Sequence, residues 1–451
     1  MVNKEQRIEI LEELQESLQA KNDGVSSALL PRLTDEFQVD DWAWLLESLT
    51  NEQRVIIWPQ LEGKETSSIL AAMRDDARQQ FVSSISSKEL SKALADSTAE
   101  EAIEVIDVLP QKVATRLIKR MTKETQAHIK ANLNYDEDQV GRYANHDVYT
   151  IPTGLSVGEL RAELKSNDLP DYTDSFLIVD EDNKLLGEIT INELFSAEPE
   201  EGVMGLSHFP EQIIKAEDSL LDASNQLKNT NKSMLPVVTE HGELLGRFDV
   251  NDALIVFQQH YEEQIAHLGK VSDEDLFAPV LLSARRRAVW LGINLATAFL
   301  ASFVIGVFDT VLAEVVALAV LMPIVASMGG ITGSQTLTLT IRGLATGQLG
   351  DANISLLQNK ELRVASLNGV LWAVLVAVLT GLWFENAMLS GVIAIALVVN
   401  MLVAALFGIL IPVALDKLNI DPALAGSVIL TTVTDVVGFF VFLGSASLVL
   451  I

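Results

Sequence analysis

The stretch "LTTVTDVVGFFVF", Leu430 to Phe442, carries Asp435 as the only charge between Asp421 and Ile451. A helix in a soluble core holds a carboxylate only with a partner, and a helix crossing a membrane normally excludes one. The flanking sequence decides between the two. Five apolar segments follow Arg287, at about 288–308, 312–341, 364–384, 388–411 and 423–450. Each is close to or longer than the ~20 residues that a helix needs to cross the hydrocarbon of a bilayer.

The loops give an independent reading of orientation, because Lys and Arg stay on the cytoplasmic side. "RRR" (Arg285 to Arg287) precedes helix 1, Arg342, Lys360 and Arg363 lie between helices 2 and 3, and Lys417 lies between helices 4 and 5. The loops "FDTVLAE" and "WFENAM" hold no Lys or Arg. The expected arrangement is a five-helix integral membrane domain, N-terminus cytoplasmic and C-terminus outside.

Asp435 then falls inside the bilayer, where a lone carboxylate costs at least ~2.5 kcal/mol. Thr431, Thr432 and Thr434 flank it, and Asn294 and Asn400 place amides in helices 1 and 4. These groups suit a wet path for an ion; they equally serve as hydrogen-bonding contacts between helices. Helix 2, "MPIVASMGGITGSQTLTLTIRGLATG", holds Pro323, Gly329, Gly330 and Gly333 together with a polar stripe of Gln335, Thr336, Thr338 and Thr340. That composition fits a broken helix lining a cavity or a glycine face for close packing.

The 451 residues allow about three domains at roughly 150 residues each. Of the 32 Lys+Arg and 61 Asp+Glu, the part of the chain before Arg285 holds 25 and 53, a net charge of −28. Such acidity excludes phosphate-backbone binding, which requires clustered cations, so no nucleic-acid partner is expected. Divalent cations are the expected partners, with a solvated acidic surface as the plain alternative. The sequence has no cysteine, so disulfides and thiolate metal sites are excluded. The opening "MVNKEQRIEILEELQESL" predicts a charged amphipathic helix without the apolar core of a secretory signal. The chain shows no Walker A loop, no Gly-x-Ser-x-Gly and no His-Glu-x-x-His, so an enzyme is not expected.

Residues 1 to about 130 show apolar positions at three and four spacing throughout. A weak repeat relates "LLESLTNEQRVIIWPQL" (45–61) to "VIDVLPQKVATRLIKRM" (105–121), as stacked helical repeats would. A stronger one aligns "LIVDEDNKLLGEITINEL" (177–194) with "PVVTEHGELLGRFDVNDA" (236–253), with six identities in eighteen. Each copy predicts strand, turn, strand and helix start, and with the helices before them the pair resembles tandem CBS modules. Many CBS pairs bind adenine nucleotides through Thr or Ser and an Asp three residues later. Here those positions read Thr190 with Glu193 and Asp249 with Asp252, so the resemblance allows ATP without favouring it. The charges after the second module, Glu262, Glu263, Asp273, Glu274 and Asp275, read first as solvated.

A helical N-domain (1–135), tandem CBS domains (136–250), a connecting helix (251–284) and a five-helix membrane domain (285–451) follow in that order. The whole chain therefore resembles the MgtE family of magnesium channels and transporters. The resemblance rests on "RRRAVWLGINL", "GGITGSQTLTLTIRGLA" and "IDPALAGSVILTTVTDVVGFF". It implies a multidomain fold: an all-α superhelical N-domain, an α/β CBS pair, a plug helix and an α transmembrane pore domain. It further implies a homodimer in the bacterial inner (plasma) membrane, its pore on the two-fold axis and lined by helices 2 and 5. By the same resemblance Mg2+ is the transported ion and a regulatory one. Asp435 matches the family's central ion site, with Thr431, Thr432 and Gln335 as pore lining. Asp249, Asp252, Glu262, Glu263 and Asp421 are the candidate cytoplasmic regulatory sites. The family's helix 2 usually reads Gly-Gly-Asn-x-Gly-x-Gln, and Ile331 replaces the asparagine here, which leaves room for another divalent such as Co2+. An H+- or Na+-coupled carrier and a non-conducting membrane sensor are the alternative functions.

Overall fold

The computed structural model describes residues 4–19, 33, 36–61, 65–166, 169–269, 280–418 and 420–450. The cluster Asp273, Glu274 and Asp275 lies outside the described residues. The described residues divide into two compact units, one formed by those up to Glu262 and the other by 263–269 together with those from Val280 onward.

The first unit begins with nine helices among its described residues. They are α1 (Lys4–Gln19), α2 (Val39–Glu47), α3 (Asn51–Ile57), α4 (Thr66–Ala72), α5 (Asp75–Ser84), α6 (Ser87–Ala93), α7 (Ala99–Asp107), α8 (Gln111–Ile118) and α9 (Lys123–Asn132). Several of their starts are written in the sequence as Ser or Thr followed three residues later by an acceptor. Ser86 with Glu89 and Thr98 with Glu101 form capping boxes. The weak sequence repeat maps helix onto helix, α2 and α3 onto α7 and α8.

A second, shorter period is carried by two buried arginines. Arg54 donates to the carbonyls of Leu46 and Glu47, eight and seven residues earlier, and Arg78 donates to those of Leu70 and Ala71 at the same spacing. Each guanidinium thus supplies the acceptor-rich C-terminal end of the helix before its own with the donors it lacks. Exposures of 1% and 3% are tolerable because carbonyl and carboxylate oxygens surround these groups.

Two three-stranded sheets follow. The first orders β1 (Thr150–Pro152), β2 (Ser175–Val179) and β3 (Leu185–Thr190), with β1 parallel and β3 antiparallel to β2. The second repeats this with β4 (Ile214–Lys215), β5 (Met234–Val238) and β6 (Leu244–Asp249). Phe176 pairs with Ile189 in one copy and Leu235 with Phe248 in the other, so each apolar run faces its own core. Helices α10 (Val157–Leu164), α11 (Ile191–Ser196), α12 (Val203–Leu206) and α13 (Leu220–Lys228) cover the sheets. The hairpins exchange backbone bonds, Leu185 N–H to Gly242 and Leu244 N–H to Asn183, which joins the modules as a pseudo-symmetric pair. The predicted strand, turn, strand and helix start is present in both copies, and the second runs directly into α14 (Val250–Leu268).

The second unit contains α15 (Val280–Val307), the short α16 (Asp309–Glu314), α17 (Ala317–Ala345), α18 (Ile354–Phe384), α19 (Ala387–Lys417) and α20 (Pro422–Leu450). All but α16 are long and apolar enough to cross a membrane. α19 is central, packed against α17, α18 and α20, whereas α15 lies against α20 and buries only Ala301 among its described residues. α17 runs unbroken through Pro323 and its glycines, so of the two readings of that segment the close-packing one describes the backbone. Gly329 sits against the Asn400 amide and Gly333 against Leu430.

Candidate cation sites

Asp435 lies thirteen residues into α20, about 20 Å from the start of that helix at 1.5 Å per residue. It is half-buried, and among the described residues no cationic or hydrogen-bonding side chain pairs with it. Thr431 and Thr432 occupy the preceding turn, also half-buried. Their hydroxyls donate to the carbonyls of Ser427 and Val428, which holds the hydroxyl protons inward and leaves the oxygen lone pairs for a ligand. Thr434 is fully buried and donates to Thr431. Asn400 is fully buried too: its amide NH2 donates to the Val325 carbonyl at 2.9 Å, and its own oxygen has no protein donor among the described residues. Asn294 is exposed on α15.

Gln335 lies elsewhere, on a cavity of about 870 Å³ between α17 and α18 that it shares with Thr332, Thr336, Thr338 and Asn368. Ile331 lines the same cavity and is 55% exposed. The cavity also contains Glu361, which sequence reasoning passed over because Lys360 and Arg363 mark a loop there. α18 starts ten residues before the apolar segment and carries Glu361 into the bundle, where it is 6% exposed. The missed signal was the helical continuity of "ISLLQNKELRVASL", with apolar positions at three and four spacing.

In the first unit Asp249 and Asp252 adjoin. Asp249 accepts from the Asp252 N–H at 3.2 Å, and Asp252 accepts from the Asp249 N–H at 2.9 Å, reciprocally capping α14. Burial, and then the Asp249 charge, push the Asp252 carboxyl up to about 7. The Glu100 charge on α7 adds to this, and Glu100 itself accepts from the His146 N–H at 3.1 Å. Thr190 and Glu193 form the equivalent cap of α11. In both modules the two residues at these positions are engaged in starting a helix.

Glu262 pairs with Arg74 at 3.0 Å. Glu263 faces His267, 3.8 Å from its Nε2, and the Nδ1 of the same ring meets Asp421. Asp421 also caps α20 by accepting from the Ala423 N–H at 2.8 Å. Among the described residues no three His, Asp or Glu side chains converge into a metal cage. Any cation bound here would rest on one or two carboxylates, neutral oxygens and its own waters, a combination that suits Mg2+.

Residues 322–445 match the family model MgtE, a divalent cation transporter. Residues 37–138 match the MgtE intracellular N domain, and 140–200 and 208–258 match the CBS domain. The magnesium transporter MgtE of Bacillus subtilis is 25% identical over 418 residues, 92% of each chain. That of Thermus thermophilus is 27% identical over 448 residues, covering 97% of this chain and 98% of its own. The crystal structure of the cytosolic domain of the Mg2+ channel MgtE in complex with ATP covers 55% of this chain and 99% of that one. Its identity is 21% and its TM-score 0.47. Cytosolic N and CBS domains followed by five apolar helices define an integral membrane protein of the divalent-cation transporter class. The chain belongs to the MgtE family.

Proposed function

We propose that this chain forms a homodimeric Mg2+ channel of the bacterial inner membrane, with Asp435 of both copies facing the two-fold axis between helices α17 and α20. The observation that carries this reading is a half-buried carboxylate without a protein partner among the described residues, in the middle of a membrane helix. In lipid that placement is costly, and a second copy with a cation between the two removes the cost. Two carboxylates at one axis repel when empty, and a single divalent ion neutralises both. Mg2+ sheds water reluctantly, so Thr431 and Thr432 need only hold its hydration shell. The Lys and Arg distribution supports a cytoplasmic N-terminus.

Gating follows from the acidity of the cytosolic half. Asp249, Asp252 and Glu100 repel one another when bare, and Mg2+ between such faces favours the closed arrangement by binding it better than the open one. Glu262, Glu263 and Asp421 belong to the same scheme, with Arg74 as the internal counter-charge of Glu262 and the His267 ring as the neighbour of Glu263 and Asp421. ATP is allowed by the CBS pair and not favoured, since Thr190, Glu193, Asp249 and Asp252 are occupied as helix caps.

Flux into proteoliposomes tests the reading. Wild type is expected to pass Mg2+ along its gradient and the membrane potential, and Asp435→Asn to lose at least about tenfold, one unpaired charge interaction. Dependence on an H+ or Na+ gradient would instead identify a coupled carrier, and absence of flux in wild type a sensor. Repeating the assay with Co2+, Mn2+ and Ca2+ gives the ion preference.

A further inference from the structure

The cavity between α17 and α18 holds a charged group that the proposed path through Asp435 does not use. α18 packs along α19 and only lightly touches α17, which leaves the space open. Its polar lining comes from both walls, Thr332, Gln335, Thr336 and Thr338 on α17 and Asn368 on α18, all uncharged oxygen donors to a cation. At its wall the Glu361 carboxylate is 6% exposed, with the Thr336 hydroxyl at 3.4 Å from one oxygen and the Lys360 ammonium at 3.3 Å from the other. Lys360 is 66% exposed, so its ammonium reaches in from outside on a flexible stem. A buried carboxylate in a membrane helix needs a stronger reason than one surface lysine, because such a pair contributes little.

We propose that Glu361 binds a second divalent cation in this cavity, and that Lys360 is the internal cation which the metal displaces. One anionic oxygen donor with several neutral ones, in about 870 Å³, suits an ion that keeps most of its water. Six waters need roughly 200 Å³ at ~30 Å³ each. Glu361 lies seven residues into α18, about 10 Å from its start, and Asp435 about 20 Å into α20. Glu361 therefore lies near the start of α18, toward the end of the bundle at which α17 finishes with Arg342. The proposal rests on the channel reading for its role, as a station between Asp435 and the cytoplasm, and its binding is testable without conduction.

Trp372 lines the same cavity and provides a local probe. The full-length protein is labelled with 5-fluorotryptophan, the Trp372 resonance is assigned with Trp372→Phe, and Mn2+ is titrated while paramagnetic broadening is followed by 19F NMR. The expected result is broadening of Trp372 in wild type and in Asp435→Asn at similar concentrations. Glu361→Gln should need at least about tenfold more Mn2+, and Lys360→Met several-fold less, the change expected for one charge at about 3–4 Å. An unchanged midpoint in Glu361→Gln, or broadening abolished by Asp435→Asn, overturns the site and leaves the channel reading standing. If Glu361→Gln does not fold, Lys360→Met decides: a lower midpoint supports the site and an unshifted one refutes it.

Discussion

Asp252 and His146 are two titratable groups with opposite leanings in the first unit. Burial and Asp249 push Asp252 up to about 7, so the folded state holds its proton more tightly than the unfolded chain does. Stability is therefore lost as pH rises from about 4 to about 7, by up to roughly 1.4 kcal/mol per pH unit. His146, stacked on His128 at 4.0 Å, is brought down to about 4 by burial and then by His128, and stability is lost as pH falls from 6.5 towards 4. The two slopes oppose each other in the wild type. Asp252→Asn should therefore raise the melting temperature in EDTA at about pH 7.5 and leave it unchanged near pH 4, exposing the acid lability of His146. Thermal unfolding of both proteins across this range measures it. The Asp249 and Asp252 spacing was legible in the sequence; their mutual capping was not, since it depends on where the helix starts. Arg54 and Arg78 were not legible either, because a charged residue reads as solvent-facing until the carbonyls that surround it are known.

At the level of elements, the junction of α17, α19 and α20 is set by an amide between two glycines. A Cβ at Gly329 would stand 2.2 Å from the Asn400 nitrogen and one at Gly438 2.6 Å from it, whereas at Gly330 nothing lies within 4 Å. Moving the amide breaks its bond to Val325 in a place where no water competes. Gly329→Ala should cost about 1–3 kcal/mol in the detergent-solubilised protein, as overpacking does, while Gly330→Ala should be neutral or slightly stabilising. Denaturation of the two variants side by side checks this. The five spans were legible because their length and hydropathy leave little alternative. The start of α18 was not, since Lys360 and Arg363 interrupt the hydropathy while the helix continues through them, and Glu361 was missed for that reason. The resemblance makes Gln335 pore lining beside helix 5, whereas in the structure it lines the cavity between α17 and α18.

For the whole molecule the controlling quantity is charge: −28 before Arg285 against almost none beyond. Self-repulsion of this size loosens a multidomain unit, and divalent counter-ions draw it together. Trypsin digestion of the intact protein should therefore slow several-fold in millimolar Mg2+, and less in equal ionic strength of Na+. Equal cleavage in both would remove the basis for metal-dependent closure. The domain order was legible because each part carries a distinct signature: helical periodicity, a repeated hairpin, then unbroken apolar runs. The arginine-linked hairpins of the N-domain have a mechanical consequence. Arg54 grips the end of α2 and reaches Ala77 of α5, and Arg78 grips the end of α4 with Met73 and Glu104 beyond. One continuous apolar core from Ile10 to Ile129 runs past both clasps, so a load on any one helix end is spread through the whole N-domain and the unit should yield as a block.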